Sequence, residues 1–359
     1  MNNSTQGNIT SHWTHPIPPH IKIALYSILF VWSLLGNVLV IAVVYCNQNL
    51  RTNINYLIVN MAVSDLLVPL VAMPSFILSS VIKNDEWLVD GQLGEALCKL
   101  VHFLILLSPS VSSFSLVIIA FQRFIAVVYP TRRQILSRKT RWIAIAFPWF
   151  VAMALVSPYF YTYRLTNEWG YTTCDYSWSP AFDYWRAEMI LISIETAVGF
   201  VIPFIIIIIL YTIIVHKLQK SFNNVMNLMQ KETIRSRHRR NRRIFSMLIT
   251  IVVMFTICWC PLRVFELLYV SKRHSLLSLD LDTFIKMAAT FWYMWFLLAA
   301  INPCVYFVFL RDFRQGLKSL CCRKTAAENE LIPRRPRTPG GDSNQDPTCT
   351  PPHINTTTV

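Results

Sequence analysis

Charged side chains inside long apolar stretches are the residues of this sequence best placed to form a functional site: Asp65, Arg123, Glu195, Arg263 and Glu266. An ionisable residue within a membrane span is costly and therefore a candidate for function. Glu195, Arg263 and Glu266 share one depth, on the same side of Pro203 and Pro261. They suggest a charged cavity open to one face of the membrane. The alternative is an internal ion pair of Arg263 with one of the two acids, and the two interpretations are compatible.

Aromatic residues cluster at the same depth. Trp259 and Trp295 lie too deep for the belt of aromatic side chains that marks a membrane interface. Trp292, Trp295 and Ala299 are spaced three and four residues apart and therefore share one helical face. We predict that Trp259, Trp292 and Trp295 contact a ligand together with the charged residues.

Seven apolar segments carry these residues, and each reaches the roughly 20 residues that a helix needs to cross the hydrocarbon core. Segments 1 to 7 run over Ile23–Val44, Ile54–Val81, Leu97–Val128, Trp142–Tyr163, Met189–Val215, Ile244–Val270 and Thr283–Leu310. The sequence therefore predicts an all-α integral membrane protein, a bundle of seven transmembrane helices. Prolines inside six of the segments favour a bundle with kinks and a cavity.

The composition agrees with a membrane protein, since 54% of residues are hydrophobic and only 14% are charged. The formal charge of +14 would suit a nucleic-acid partner, but its distribution argues against one. Basic residues concentrate in the loops after segments 3 and 5 and in the C-terminal tail, which the positive-inside rule makes cytoplasmic. We expect a multi-pass plasma-membrane protein with an extracellular N-terminus. The basic run Arg235–Arg243 would flank the inner opening or anchor to lipid headgroups.

The two ends of the chain have the composition of tails. Residues 1–20 form a short extracellular tail with glycosylation sequons at Asn2, Asn3 and Asn8, ahead of a membrane domain over residues 21–310. We expect a short amphipathic eighth helix over residues 311–322 and a disordered cytoplasmic tail over residues 323–359. Cys321 and Cys322 lie next to the membrane, where they are either palmitoylated or free thiols.

Two cysteines fall on the predicted outer side. Cys98 is at the outer end of segment 3, and Cys174 is in the loop after segment 4. Because the outside of the cell is oxidising, we predict a disulfide between them. That bond would hold the loop across the mouth of the bundle.

Each segment also carries a landmark motif, and in order these motifs resemble those of the rhodopsin-like (class A) G protein-coupled receptors. The resemblance covers approximately Ile23 to Cys322. The landmarks are Gly36-Asn37-Val38 in segment 1, Asn60 and Asp65 in segment 2, Cys98 and Arg123 in segment 3, Trp149 and Pro158 in segment 4, Phe200, Pro203 and Tyr211 in segment 5, Phe255, Trp259 and Pro261 in segment 6, and Asn302-Pro303 with Tyr306 in segment 7.

The resemblance implies a receptor whose ligand favours a state opened at the cytoplasmic end. Trp259 and Phe255 would repack beside the kink at Pro261, and the Asn302-Pro303 motif would adjust in segment 7. Arg123, Tyr211 and Tyr306 would rearrange at the inner mouth and receive a heterotrimeric G protein. A ligand produces this change only if it binds the open state more tightly.

Two departures from the family pattern concern the resting state. Most members have an acid directly before the arginine of segment 3, and this acid holds the arginine in the resting state; here the residue is Gln122. Some members have a second such acid at the inner end of segment 6, where this sequence has Asn241. We expect raised basal signalling, the alternative being a scavenging receptor that couples poorly.

The resemblance also implies an allosteric sodium site at Asp65, Ser112 and Asn302, although Leu298 and Ala299 are apolar where polar residues are frequent.

The matching positions narrow the ligand class. Ile105 replaces the acid of amine receptors, and Phe296 replaces the retinal lysine of opsins. Two acids, one arginine and many aromatic residues point to a short, positively charged peptide, with Ile105 among its contacts. A small organic ligand is the alternative within the family. A transporter is the alternative outside it, but the sequence has no internal repeat.

The sequence offers no metal-ligand cluster and no nucleophile–base pair, so we expect neither an enzyme nor a cofactor beyond sodium.

The C-terminal Thr357-Thr358-Val359 resembles a ligand of PDZ domains. Phosphorylated Ser and Thr residues of the tail would recruit arrestin, at Thr338, Ser343, Thr348 and Thr350.

Overall fold

A computed structural model describes residues 18–82, 86–129, 138–168, 170–223, 228–271 and 281–320 of the chain. Seven of its helices are long and apolar enough to cross a membrane, which confirms the predicted bundle. They are Pro19–Cys46, Asn53–Val81, Gly91–Val128, Lys139–Val156, Tyr184–Lys220, Arg243–Ser271 and Thr283–Phe309. In chain order these helices correspond to segments 1 to 7 and keep those numbers.

Segment 4 is shorter than predicted. Its helix ends at Val156 and not at Tyr163, and a short helix over Tyr159–Thr162 follows a turn. Pro158 lies in that turn, because a proline has no N–H to donate to the preceding helical turn. The chain is extended from Tyr163 onward, so the apolar and aromatic run that suggested a longer helix divides between two kinds of structure.

The loop after segment 4 is a β-hairpin, which the all-α prediction did not include. Strand β1 covers Tyr163–Glu168 and pairs antiparallel with strand β2, Tyr171–Tyr176. Gly170 in the turn has a φ of 83°, a left-handed conformation that suits glycine. A disulfide joins Cys174 on β2 to Cys98 on segment 3, as predicted. We call the end of the bundle that carries this hairpin the hairpin end.

Two segments contain a π-helical turn. One covers Val68–Ala72 in segment 2 and includes Pro69, and the other covers Ala197–Val201 in segment 5. In segment 5 the turn leaves the Gly199 carbonyl oxygen open to a neighbour, and the Ser113 hydroxyl donates a hydrogen bond to it over 2.7 Å. The irregular turn is therefore fixed against segment 3, the most buried helix of the bundle.

Segments 1 and 7 pack closely. The Asn37 side-chain amide donates to the Ala299 carbonyl oxygen over 3.0 Å, and a Cβ on Gly36 would lie 2.9 Å from the Pro303 ring. Residues 311–320 form a further short helix after segment 7. Phe313 of this helix is buried against the Tyr306 and Phe307 rings.

Several predicted features lie outside the described residues and stay predictions. They are the sequons at Asn2, Asn3 and Asn8, the cysteines Cys321 and Cys322, the phosphorylation sites and the C-terminal Thr357-Thr358-Val359. The helix of segment 6 continues back to Leu228, but the Asn241 side chain is also outside the described part.

Candidate functional site

Glu195, Arg263 and Glu266 form one buried ion-pair group, which we call the charged triad. Arg263 Nη1 lies 3.0 Å from Glu195 Oε2 and 3.1 Å from Glu266 Oε2. The Arg263 and Glu195 residues are 5% and 4% exposed, whereas the Glu266 side chain is 23% exposed. The internal ion pair weighed in the sequence analysis is therefore present, and Arg263 binds both acids rather than one.

Burial explains the pairing, because an isolated charge in a low-dielectric interior is very costly. The Tyr159 hydroxyl also donates to Glu195 Oε2, over 3.1 Å. Three polar atoms of the triad nevertheless have no hydrogen-bond partner among the described residues, namely Glu195 Oε1, Arg263 Nε and Glu266 Oε2, of which the last makes an ion pair only. The site thus holds hydrogen-bonding capacity that the described residues do not use.

Arg263 also contacts Trp259, the aromatic residue next to the segment 6 kink. Its guanidinium carbon lies 4.7 Å from the Trp259 ring centroid, a cation–π geometry. Trp259 is buried and packs against the Phe255 ring at 5.2 Å and the Phe200 ring at 5.6 Å. The charged triad is therefore in direct contact with the aromatic cluster beside Pro261.

The other predicted ligand contacts lie in the adjoining core. Trp292 and Trp295 pack edge to face with their ring centroids 5.1 Å apart, which places them on one face of segment 7. Trp295 and Ile105 are buried in the same hydrophobic cluster as Trp259, and Trp292 is half-buried at its edge. Of these side chains, Trp292 is the most accessible to a ligand.

Asp65 is the centre of a buried polar network joining segments 2, 3 and 7. The Ser112 hydroxyl donates to Asp65 Oδ1 over 2.9 Å, and the Asn302 amide donates to Asp65 Oδ2 over 2.8 Å. Ser64 Oγ lies 3.0 Å from Ser112 Oγ. Asn302 Oδ1 is buried without a hydrogen-bond partner in the described part of the chain. These oxygen atoms fit a hard cation such as sodium, although Leu298 and Ala299 contribute none.

At the opposite end of the bundle, Arg123 and Tyr211 line an open cleft together with Phe245 and Leu248. Tyr211 packs edge to face on Phe245, with ring centroids 5.3 Å apart. Tyr306 is not among the residues that line this cleft. Its hydroxyl contacts the Met61 sulfur at 3.8 Å, and its ring packs against Phe313.

Gln122 is buried at the same end of segment 3, with 5% of its surface exposed. Neither its amide nitrogen nor its amide oxygen has a hydrogen-bond partner among the residues that the structure describes. A buried amide without partners raises the free energy of the conformation that contains it.

Comparison with known proteins identifies the bundle. Residues 36–306 match the family model of the seven-transmembrane receptors of the rhodopsin family. The chain belongs to this family. It is a multi-pass membrane receptor, in agreement with its seven apolar helices.

Three relatives of this rhodopsin-family receptor are named for peptides. Neuropeptide FF receptor 1 of Rattus norvegicus is 30% identical, over 93% of this chain and 79% of the relative. The QRFP-like peptide receptor of Branchiostoma floridae is 26% identical, over 89% of this chain and 82% of the relative. Neuropeptide Y receptor type 6 of Mus musculus is 29% identical, over 84% and 82% respectively.

The receptor has a second acidic site at the hairpin end that sequence analysis missed. Glu188 accepts hydrogen bonds from the Tyr176 hydroxyl and, over 2.8 Å, from the Trp178 indole nitrogen. Burial, and then the nearby Glu188 carboxylate, raise the pKa of Tyr176, so its hydroxyl stays protonated and remains a donor. These bonds fasten the end of β2 to segment 5. Glu188 precedes Glu195 by seven residues, a helical spacing that would have linked the two.

Proposed function

We propose that this receptor binds a short, positively charged peptide at the hairpin end and activates a heterotrimeric G protein at the opposite end. The observation that carries this proposal is the charged triad, in which two carboxylates surround one guanidinium. With both carboxylates ionised, the triad has an excess of one negative charge, which a cationic ligand would neutralise. The peptide names of the three relatives support the same ligand class.

The surroundings of the triad suit a peptide better than a lipid. The hairpin and the adjoining end of segment 5 carry aromatic side chains with polar ends, among them Tyr163, Tyr176 and Tyr184. Such side chains offer both apolar area and hydrogen bonds, the combination found where peptides are recognised. An ionic group next to them would impose a desolvation cost on a purely apolar ligand.

The orientation in the plasma membrane is part of the proposal. The hairpin end would face outside, where a disulfide persists and where the sequons Asn2, Asn3 and Asn8 would carry glycans. The basic loops would then lie in the cytoplasm, next to anionic lipid headgroups. Palmitate on Cys321 and Cys322, arrestin, and a PDZ-domain protein at Thr357-Thr358-Val359 would act on that side. Mass spectrometry of the purified receptor tests the glycans and the palmitate.

A peptide library applied to cells that express this chain tests the function. The readout is intracellular calcium or cyclic nucleotide, compared with cells lacking the chain. A hit is then radiolabelled and its binding to membranes measured with and without a GTP analogue. Guanine-nucleotide-sensitive binding supports the proposal, and a library of diverse cationic peptides that gives neither response contradicts it.

The double substitution Glu195→Gln and Glu266→Gln is expected to weaken a cationic peptide agonist about tenfold or more, because each buried ion pair with a ligand contributes on the order of 1–3 kcal/mol. A neutral analogue of the same peptide should lose much less affinity. Competition binding measures both peptides on both receptors. Glu86→Gln, which changes an exposed acid at the same end, is the matched control. Equal losses for the two peptides would refute the pairing.

We also propose that sodium is an allosteric ligand of the Asp65 network. Asp65, Ser112 and Asn302 would hold the ion, whose positive charge would offset the buried carboxylate. Sodium at about ten times its dissociation constant would stabilise the receptor by about 1.4 kcal/mol. Thermal unfolding in sodium chloride against N-methylglucamine chloride of equal ionic strength measures this, and Asp65→Asn should abolish the difference. An equal sodium effect in both proteins would place the ion elsewhere.

A further inference from the structure

We propose that Arg263 occupies the place of the ligand's own cation. A guanidinium or ammonium group of the ligand binds Glu195 and Glu266 in exchange for Arg263, and the displaced Arg263 withdraws its charge from Trp259. This inference rests on the proposed peptide-receptor function. It adds the chemical group that the site recognises and the contact through which its binding reaches segment 6.

The contacts of Arg263 are incomplete, which makes it replaceable. A guanidinium has five N–H donors in a planar fork that matches a carboxylate through two parallel bonds. Arg263 instead contacts both acids through the single atom Nη1. Glu195 Oε1, Glu266 Oε2 and Arg263 Nε remain without hydrogen-bond partners among the described residues. An incoming guanidinium that binds Glu195 through both carboxylate oxygens would therefore gain a bond that Arg263 does not make.

The exposures of the three side chains indicate the side from which a ligand reaches the triad. The Glu266 side chain is 23% exposed, whereas those of Arg263 and Glu195 are 6% and 5% exposed. A ligand cation therefore meets Glu266 first and competes there for the more exposed of the two ion pairs. Exchange at Glu195 follows deeper in the site, where a lower dielectric strengthens each charge–charge contact.

Arg263 also links the acids to Trp259. Trp259, Arg263 and Glu266 are spaced four and three residues apart, so they lie along one face of segment 6. The guanidinium carbon is 4.7 Å from the Trp259 ring centroid, within the range of a cation–π contact. When the ligand's charge takes over the acids, Arg263 loses the two contacts that hold it above this ring. Trp259 is then free to repack against Phe255 and Phe200, beside the kink at Pro261.

Ligand-free signalling tests this link without knowledge of the ligand. Arg263→Gln removes the charge over Trp259 and is expected to raise basal signalling about threefold to tenfold at matched surface expression. Arg263→Lys keeps the charge and should lie closer to the unsubstituted receptor. If Arg263→Gln does not reach the surface because its two acids face each other, the triple variant Glu195→Gln, Glu266→Gln and Arg263→Gln removes that repulsion. The triple variant should signal above the unsubstituted receptor as well.

A pair of small probes tests the exchange itself. Both probes are acetylated at the α-nitrogen, so that neither has an α-ammonium group. Nα-acetyl-L-argininamide (argininamide below) carries a guanidinium as its single charge, and Nα-acetyl-L-citrullinamide (citrullinamide below) carries a neutral urea of nearly the same shape. Argininamide at millimolar concentration should raise both signalling and the thermal unfolding midpoint of the purified full-length receptor, and citrullinamide should raise neither. Arg263→Gln should increase the midpoint shift given by argininamide, because the acids no longer have an internal partner.

Two results would overturn the exchange. One is basal signalling that is unchanged or lowered in a surface-expressed variant lacking the Arg263 charge. The other is an equal effect of the two amides on the unsubstituted receptor. These failures differ from a failure of the proposed function. If a peptide agonist is found whose potency is unaffected when its arginines are replaced by citrulline and its lysines by acetyl-lysine, the exchange and the positive charge of the ligand are wrong, while peptide binding and G-protein activation stand.

Discussion

Gln122→Glu is expected to lower the ligand-free signalling of this receptor about tenfold at matched surface expression, a shift of about 1.4 kcal/mol toward the resting state. The substitution preserves the shape of the side chain and replaces an amide nitrogen by an ionised oxygen. Both polar atoms of the Gln122 amide are buried without a hydrogen-bond partner in the described residues. Burying such an amide costs about 1–3 kcal/mol. A carboxylate beside Arg123 would turn that cost into a favourable charge–charge contact.

Gln122→Met is the matched control, because methionine has a similar length and no amide. It removes the cost of the buried polar atoms but supplies no charge for Arg123. We expect it to lower basal signalling by about threefold, less than Gln122→Glu. Basal second-messenger formation, normalised to surface expression, measures all three proteins. Unchanged signalling in Gln122→Glu would show that this residue does not set the resting state.

Removing the disulfide with Cys98→Ser and Cys174→Ser is expected to lower the free energy of unfolding by roughly 4 kcal/mol. The two cysteines are 76 residues apart, so the bond closes a long loop and restricts the unfolded chain strongly. The loss should also weaken ligand binding. The hairpin would then be held mainly by hydrogen bonds such as those of Tyr176 and Trp178 to Glu188.

Thermal unfolding of the purified receptor in detergent measures the effect on stability. Cys46→Ser, which changes an exposed free cysteine of segment 1, is the control for the loss of a thiol. A reducing agent should lower the midpoint of the unsubstituted receptor and leave the double variant unaffected. A double variant that unfolds at the same temperature as Cys46→Ser would contradict the prediction.

The sequence alone was sufficient to predict the seven-helix bundle, because a membrane span needs a long apolar run and the sequence contains seven such runs. It also predicted that Glu195, Arg263 and Glu266 lie at one depth, since depth follows from position along a helix of known rise. Their direct contact was only one of two interpretations. Contact depends on how segments 5 and 6 are rotated about their axes, which apolar length does not determine.

The residues at the hairpin end were harder to predict. Tyr159 and Tyr163 belong to the same aromatic run as segment 4, and only Pro158 indicates that the helix ends before them. Glu188 was overlooked because it lies one residue before the predicted start of segment 5 at Met189. The helix in fact begins at Tyr184, where the Asp183 side chain accepts a hydrogen bond from the Arg186 amide and caps it.

The π-helical turn over Ala197–Val201 determines the direction, around the helix axis, of every side chain in the part of segment 5 nearer the hairpin. Such a turn contains one residue more than an α-helical turn, and one residue corresponds to about 100° of rotation. Deleting a single residue from it would point Glu195 away from Arg263 while Tyr211, beyond the turn, kept its direction. Glu195 and Asp183 lie on the same side of the turn, whereas Pro203 lies beyond it. The regular α-helical spacing from Asp183 therefore predicts the direction of Glu195, and the spacing from Pro203 does not. Two receptors with the same residues around Pro203 but without this turn would present different side chains to a ligand.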